Sequence, residues 1–262
     1  MRHLSCLIVV FLLHFTTGVV PAQEETDQKG VVTYVDGQVK KKALENDSWQ
    51  DAAVNTAVIS GDQVRTYQKS RAELNLALLD IVRLAPRTIV DIVKLYQETK
   101  DKKLQVEIKL EKGELWASVH EVEATTEFDI SAPLTAAAIT GTVLRMRVEE
   151  DSTTQLKVYK GEVRISNAPV TAAEPARSMA PRQVQGPREV QGPREVSMEE
   201  WFYIIKSMQQ ITIDKNGRVV SVSEFDQNDM DEKSQWVEWN QRRDQIRLNN
   251  LRNAKKLNQS QQ

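Results

Sequence analysis

The chain has 262 residues, with 35 Lys and Arg against 37 Asp and Glu, for a formal charge of −2. That balance excludes a bulk nucleic-acid binder, which needs a strong basic excess. The single cysteine excludes a disulfide-stapled scaffold, so a stable fold must rest on its own core, and the length suits one large domain or a domain with appendages.

Residues 1–22 read as a signal peptide. Arg2 and His3 form a short basic start, residues 4–15 are apolar, and Val20-Pro21-Ala22 supplies a small-residue cleavage site before Gln23. The alternative is an uncleaved anchor, but His14, Thr16, Thr17 and Gly18 interrupt the run short of the ~18 apolar residues a span requires. The expected location is therefore the periplasm, with membrane anchorage if cleavage fails. Only three residues precede the apolar run, so no cytoplasmic arm is expected. Cleavage also removes Cys6, His3 and His14. The mature chain then holds no thiol nucleophile and no Cys-ligated metal, and His120 is its only histidine.

Residues 23–29 form a polar leader. From Gly30 the pattern is that of short strands. Val31-Val32-Thr33-Tyr34-Val35 is β-branched, and Asp36-Gly37 is a turn dipeptide that would fold it onto Gln38-Val39-Lys40 as a hairpin. Lys40, Lys41 and Lys42 suit a solvated strand end, with an anion patch as the alternative, and Trp49 suits a packing anchor. Ala72, Leu74, Leu76 and Leu78 share one face of a strand, as do Leu104, Val106, Ile108 and Leu110. Lys112-Gly113 turns the chain into Glu114-Leu115-Trp116. In residues 128–148, Phe128 and Ile130 point one way, Ala132-Pro133 breaks the run, and Gly141 marks a bend or close backbone approach. Arg145 and Arg147 alternate outward between Leu144, Met146 and Val148, as in a half-buried strand. Residues 155–159 and 162–165, around Lys160-Gly161, would close the domain as a hairpin-like pair. Turn signals at intervals of roughly 8–12 residues indicate an all-β sandwich, barrel or solenoid.

The ordered set of motifs resembles the FecR domain family, named for the iron–citrate uptake regulator. The matching pieces are Gly37-Gln38-Val39, Trp49, Gly61-Asp62-Gln63-Val64-Arg65-Thr66, Ser70-Arg71-Ala72-Glu73-Leu74, Val82-Arg83-Leu84, Gly113-Glu114-Leu115-Trp116, Ala132-Pro133, Gly141-Thr142 and Gly161-Glu162-Val163. They run in the family's order across residues 30–167. The family's Asp-Gly-Ser turn is replaced by Leu79-Asp80-Ile81, and Thr140 stands where the family often has Arg before Gly-Thr. The resemblance implies a mainly β fold, a solenoid-like or sandwich-like stack of short strands, in the periplasm. It carries no catalytic residues.

Residues 168–196 read as a Pro-rich linker. Pro169, Pro175, Pro181, Pro187 and Pro193 recur at a six-residue period, and fully extended polyproline II would reach on the order of 75 Å. Docking of this stretch as a Pro-rich ligand is the alternative to a spacer. Residues 197–225 are expected as a helix plus a β-hairpin. Ser197 and Glu200 form a capping box, Trp201, Ile204, Ile205 and Met208 recur at helical spacing to about Gln210, and Lys215-Asn216-Gly217 joins two short strands. This unit is too small to stand alone and should dock through Trp201 on the β domain or a partner. Residues 226–262 comprise an acidic loop and a basic helix over about 233–256, with a narrow stripe from Trp236, Trp239 and Ile246. Contact with anionic lipid or polysaccharide, or a partner's groove, are alternatives to a solvated helix end.

No cofactor or metal site is indicated: His120 lacks partners at metal-binding spacing, and no phosphate-cradling glycine loop occurs. A relay of His120 with Asp129 and Ser131 lacks a nucleophile-elbow signature. Asp80 and Asp91 would qualify as a hydrolytic carboxylate pair only if the fold brought them together. The sequence thus points to a non-catalytic periplasmic binding or scaffolding module, whose partner is an envelope protein or a glycan. The alternative is an envelope signal-transduction regulator related to the iron–citrate sigma-factor regulators.

Overall fold

The computed structural model describes residues 29–77, 80–98, 104–120, 126–167 and 201–260. The signal peptide, the Pro-rich linker and the Ser197–Glu200 capping box lie outside the described residues. The strands are β1 (Gly30–Asp36), β2 (Val39–Lys42), β3 (Gln50–Asp51), β4 (Ala57–Val58), β5 (Gln63–Thr66), β6 (Arg71–Ala77), β7 (Asp80–Leu84) and β8 (Ile89–Glu98). They continue as β9 (Leu104–Ser118), β10 (Thr126–Ala132), β11 (Thr135–Val148), β12 (Thr154–Ser166), β13 (Phe202–Lys206), β14 (Gln209–Ile213) and β15 (Val219–Glu224). A 3₁₀ turn (Met230–Lys233) and one helix, α1 (Gln235–Ser260), follow. The fold is mainly β with a C-terminal helix, as the sequence pattern indicated.

All strands join one open, mixed hydrogen-bonded network, parallel at β9–β10 and antiparallel elsewhere. The long strands bend and so belong to two layers. The first layer runs β3-β2-β5-β8, then the first halves of β9 and β11 on either side of β10, then the second half of β12 and β13. The second runs β4-β1-β6-β7, then the second halves of β9 and β11, the first half of β12, β14 and β15. The core lies between the layers. Val106, Ile108 and Leu110 face it from one, and Leu74, Val82, Leu115, Leu144 and Leu156 from the other, all fully buried.

Every described passage between the layers turns on one residue with positive φ: Gly37, Asn55, Gly61, Lys69, Arg87, Gly113, Gly141, Gly161 and Met208. Such a residue redirects the strand sharply without closing a hairpin. This corrects three expectations. Gly37 sends β1 and β2 into different layers, where β1 pairs with β4 and β6, and β2 with β3 and β5, so no β1–β2 hairpin forms. Residues 155–165 are one bent strand, not a pair. Residues 202–206 and the first two residues of β14, 209 and 210, are strand where a helix was expected, while 211–213 is strand as expected. Phe202-Tyr203-Ile204-Ile205 favours extended backbone, and the open edge of β12 supplies the ladder that overrides local helical spacing. Met208, at φ 63°, makes the corner between them. Trp201 nevertheless docks on the β domain as expected. It packs against the core, and its indole N–H donates to the Gly217 carbonyl at 3.1 Å. The β14–β15 hairpin forms around Asn216-Gly217.

Asp129 illustrates the cost of burying a charge in this sheet. It is 7% exposed on β10; burial, together with neighbouring Glu107 and Glu127, outweighs a hydrogen bond from Gln105 and pushes its pKa up to about 6. A carboxyl raised from 3.8 destabilises the fold at pH above 6, and the penalty disappears as pH falls below 3.8. Asp129→Asn should therefore stabilise the protein at pH 7 by about 2–3 kcal/mol, with no gain at pH 3.5. Urea titrations at the two pH values measure this, and an equal effect at both would refute the assignment.

Candidate functional site

The outer face of the second layer should be wet on sequence grounds, because its residues alternate with the core positions. It is instead covered. Strand register aligns one side chain from each of eight strands in a transverse row: Tyr34, Glu73, Arg83, Trp116, Arg145, Lys157, Gln210 and Ser223. Arg83, Trp116, Arg145 and Lys157 are each at most 3% exposed. The cover is the C-terminal strap, comprising Phe225, the 3₁₀ turn and the first four turns or so of α1.

Two ion-pair clusters hold the strap, with Trp116 between them. In the first, Glu73 accepts from Arg83 Nε at 2.6 Å and from Arg243 at 2.8 and 2.9 Å, while Asp244 accepts from Arg83 Nη1 at 2.7 Å. The other Asp244 oxygen accepts the Trp116 indole N–H at 2.9 Å. Trp239 lies over this cluster, 5.4 Å from the Tyr34 ring, with the guanidinium groups of Arg71 and Arg243 about its face at 5.0 and 5.2 Å. In the second cluster, Asp231 and Glu232 meet Arg145 and Lys157. Lys157 Nζ is 2.9 and 2.8 Å from the two carboxylates, and Tyr159 donates to Glu232 at 2.7 Å. Glu114 adds a bond from Arg147 at 2.9 Å. Tyr159 stacks on Trp116 at 4.4 Å and meets Phe225 edge-on at 5.3 Å. The helix was expected to seat a stripe of Trp236, Trp239 and Ile246. Its buried positions are Val237 and Asn240, and Ile246 is 54% exposed, because the strand face it meets is charged rather than apolar.

Burial works to raise the pKa of Glu73, but hydrogen bonds from Arg243 and Arg83 win and hold it at about 2 against 4.5 unfolded. A lowered carboxyl stabilises the fold above the unfolded value and loses that contribution as pH falls through the folded one. Burial likewise opposes, and the bonds from Lys157 and Arg145 outweigh, in lowering Asp231. Acid should therefore weaken the strap between pH 4.5 and 2, with Glu73 contributing roughly 3 kcal/mol at neutral pH. Tryptophan fluorescence across that range reads the release, and Glu73→Gln should flatten the profile.

The structure separates the other candidate groups. Asp80 abuts the Ser118 end of β9 and accepts the His120 backbone N–H at 2.8 Å. Asp91 lies in the other layer, on β8, where it opposes Gln63 and Lys109 and accepts from the Gln63 amide at 2.5 Å, so the two carboxylates have separate partners. Asp129 and Ser131 lie on β10 in the first layer, where Asp129 accepts from Gln105 and Ser131 donates to the Ile108 carbonyl, whereas His120 follows the second-layer half of β9. Lys40 pairs with Asp51, Lys41 with Asp62, and Lys42 lies over Trp49, so the basic run is spent on internal contacts. Among the described residues no cluster of His, Cys, Asp or Glu is placed to hold a metal, and no helix is long and apolar enough to cross a membrane.

The family model described as FecR protein matches residues 62–164, from just before β5 to two residues short of the end of β12, so the resemblance seen in the motifs holds over that segment. No curated protein matches the sequence. Two crystal structures of a proposed anti-sigma factor from Parabacteroides distasonis are similar, at 14% and 13% identity and a TM-score of 0.42 each. In both, the match covers 63% of this chain and 60% of that one.

Proposed function

We propose that the protein is a regulatory module of the cell envelope. It is exported through residues 1–22, works in the periplasm and signals by contact with another protein rather than by chemistry. The observation that carries this reading is the FecR match on the strands that build both layers. The placing of Asp80 and Asp91 in different layers, and of His120 in a different layer from Asp129 and Ser131, supports a role without catalysis. The same family match favours the envelope-regulator alternative over a simple scaffold. A glycan is the less favoured partner, because the Lys40–Lys42 run and Trp49 are engaged with one another and with Asp51 and Asp62.

Two measurements test the proposal together. In-cell crosslinking of the full-length protein should join it to a membrane or periplasmic protein. Deletion of the gene should change transcription of a small set of genes that the restored protein corrects. Unchanged transcription, with the protein recovered only on isolated cell-wall polysaccharide, would overturn the regulatory reading. N-terminal sequencing should give Gln23 as the first residue.

A further inference from the structure

We infer that the C-terminal strap, residues 225–251, is a detachable cover, and that the face beneath it binds a partner segment carrying an acidic pair beside an aromatic side chain. This rests on the reading of the protein as a partner-binding module. Four observations support it.

The strap lies outside the core. The continuous apolar cluster between the layers includes no residue beyond Ile213, and the strap's own fully buried apolar side chain is Val237. Lifting the strap leaves that cluster closed. Permanent interfaces are apolar, whereas this one joins charged surfaces that both remain soluble when parted.

The uncovered face would also be unbalanced. Arg83, Arg145, Arg147 and Lys157 stand there against Glu73 and Glu114; the strap sends three carboxylates, Asp231, Glu232 and Asp244, to these cations and one cation, Arg243, to Glu73. The same segment brings an aromatic group, Trp239 against Tyr34, while Phe225 lies against Tyr159 at its fixed end. A competing segment must reproduce that chemistry.

The fit is incomplete, moreover. Arg145 Nη1, Glu114 Oε1, Trp236 Nε1 and Arg247 Nη2 are buried at this interface without a hydrogen-bond partner. The core layers beneath carry no comparable concentration of unmet polar atoms among the described residues. Unmet buried groups weaken docking and favour an open state in which water satisfies them.

Finally, the strap has a hinge just after Phe225, which stays tied to the sheet by its N–H to the Met208 carbonyl at 3.0 Å. Residues 226–230 are all exposed, and the turn they form is held largely by its own Asp side chains, Asp226 accepting from the Asn228 N–H and Asp229 from the Asp226 N–H.

Hydrogen exchange on the intact mature protein, read by mass spectrometry, tests the cover without any partner. Amides of α1 up to Leu251 should exchange at least 100-fold faster than those of β9 and β11. Raising NaCl from 0.1 to 1 M should speed α1 about tenfold and leave β9 and β11 unchanged, because salt stabilises the parted charges. Exchange of α1 at the rate of the core would overturn the inference. A labelled synthetic peptide of residues 225–251 then tests the face. It should bind the full chain bearing Asp231→Lys and Glu232→Lys at least tenfold tighter than the unaltered chain. A peptide carrying those two substitutions should not bind. Equal binding to both chains would overturn the inference, as would a core melting temperature lowered together with loss of α1. The crosslinking experiment above decides the module reading separately, since a partner could be found on another face while the strap stays shut.

Discussion

Gly113→Ala should cost about 3–5 kcal/mol, enough to leave the protein marginal. Gly113 sits at φ +93° where β9 leaves one layer for the other. An L-residue there is strained by about 1–2 kcal/mol on conformation alone. The added Cβ would also lie 2.5 Å from Thr88 Oγ1, 2.6 Å from Thr88 Cα and 2.9 Å from the Arg87 carbonyl. Thr88 cannot yield, because it is fully buried and its hydroxyl accepts the Glu114 N–H at 3.0 Å and donates to the Glu114 carbonyl at 3.1 Å. Gly217→Ala is the control. It also has positive φ, but a Cβ there meets nothing within 4 Å, so the expected cost is only about 1 kcal/mol. Urea midpoints of the two variants give the difference, and equal losses would show that the corner does not constrain the fold.

Arg145→Ala should release the strap. Arg145 is 2% exposed and faces Asp231, Glu232 and Glu114. Its removal leaves Lys157 as the remaining buried cation against Asp231 and Glu232, and breaking a buried cluster of this kind costs about 3–5 kcal/mol. A docked strap would spend at least a hundred times longer open, at about 1.4 kcal/mol per tenfold. Trypsin should then cut at Arg242, Arg243 and Arg247 at a correspondingly higher rate while β9 and β11 stay intact. Unaltered cleavage would mean that Asp244 and Trp239 hold the helix by themselves. An exposed pair such as Lys40–Asp51 should show no such effect on replacement, since surface pairs contribute little.

The glycine motifs explain why the FecR resemblance is readable at all. Gly37, Gly61, Gly113, Gly141 and Gly161 are all layer-to-layer corners, so the motifs recur for a backbone reason. Asn55, Lys69, Arg87 and Met208 occupy the same conformation without glycine, and nothing in those residues distinguishes them locally. A turn signal gives the place of a bend but not its sense. That is why Asp36-Gly37 and Lys160-Gly161 suggested hairpins and proved to be corners. The helix expected over 197–210 failed for a related reason, as Trp201, Ile204, Ile205 and Met208 fit a helical period in a stretch whose residues also favour strand. Only the open edge of β12 decided between them.

The covered face was the least legible feature. Alternation correctly put Arg145 on the opposite side of its strand from Leu144 and Met146, and correctly marked residues 226–232 as acidic. It did not say that the two meet.

The sequence by itself determined the class of fold, the inward residues of each strand and most of the bend positions, because side-chain alternation and glycine's conformational range act over a few residues. Tertiary structure alone decided which strands share a layer, that residues 202–206 extend an edge, and that Arg83, Trp116, Arg145 and Lys157 lie under the strap. Those outcomes depend on pairing and charge contacts between residues as far apart as Glu73 and Arg243, and no local pattern encodes a contact at that separation.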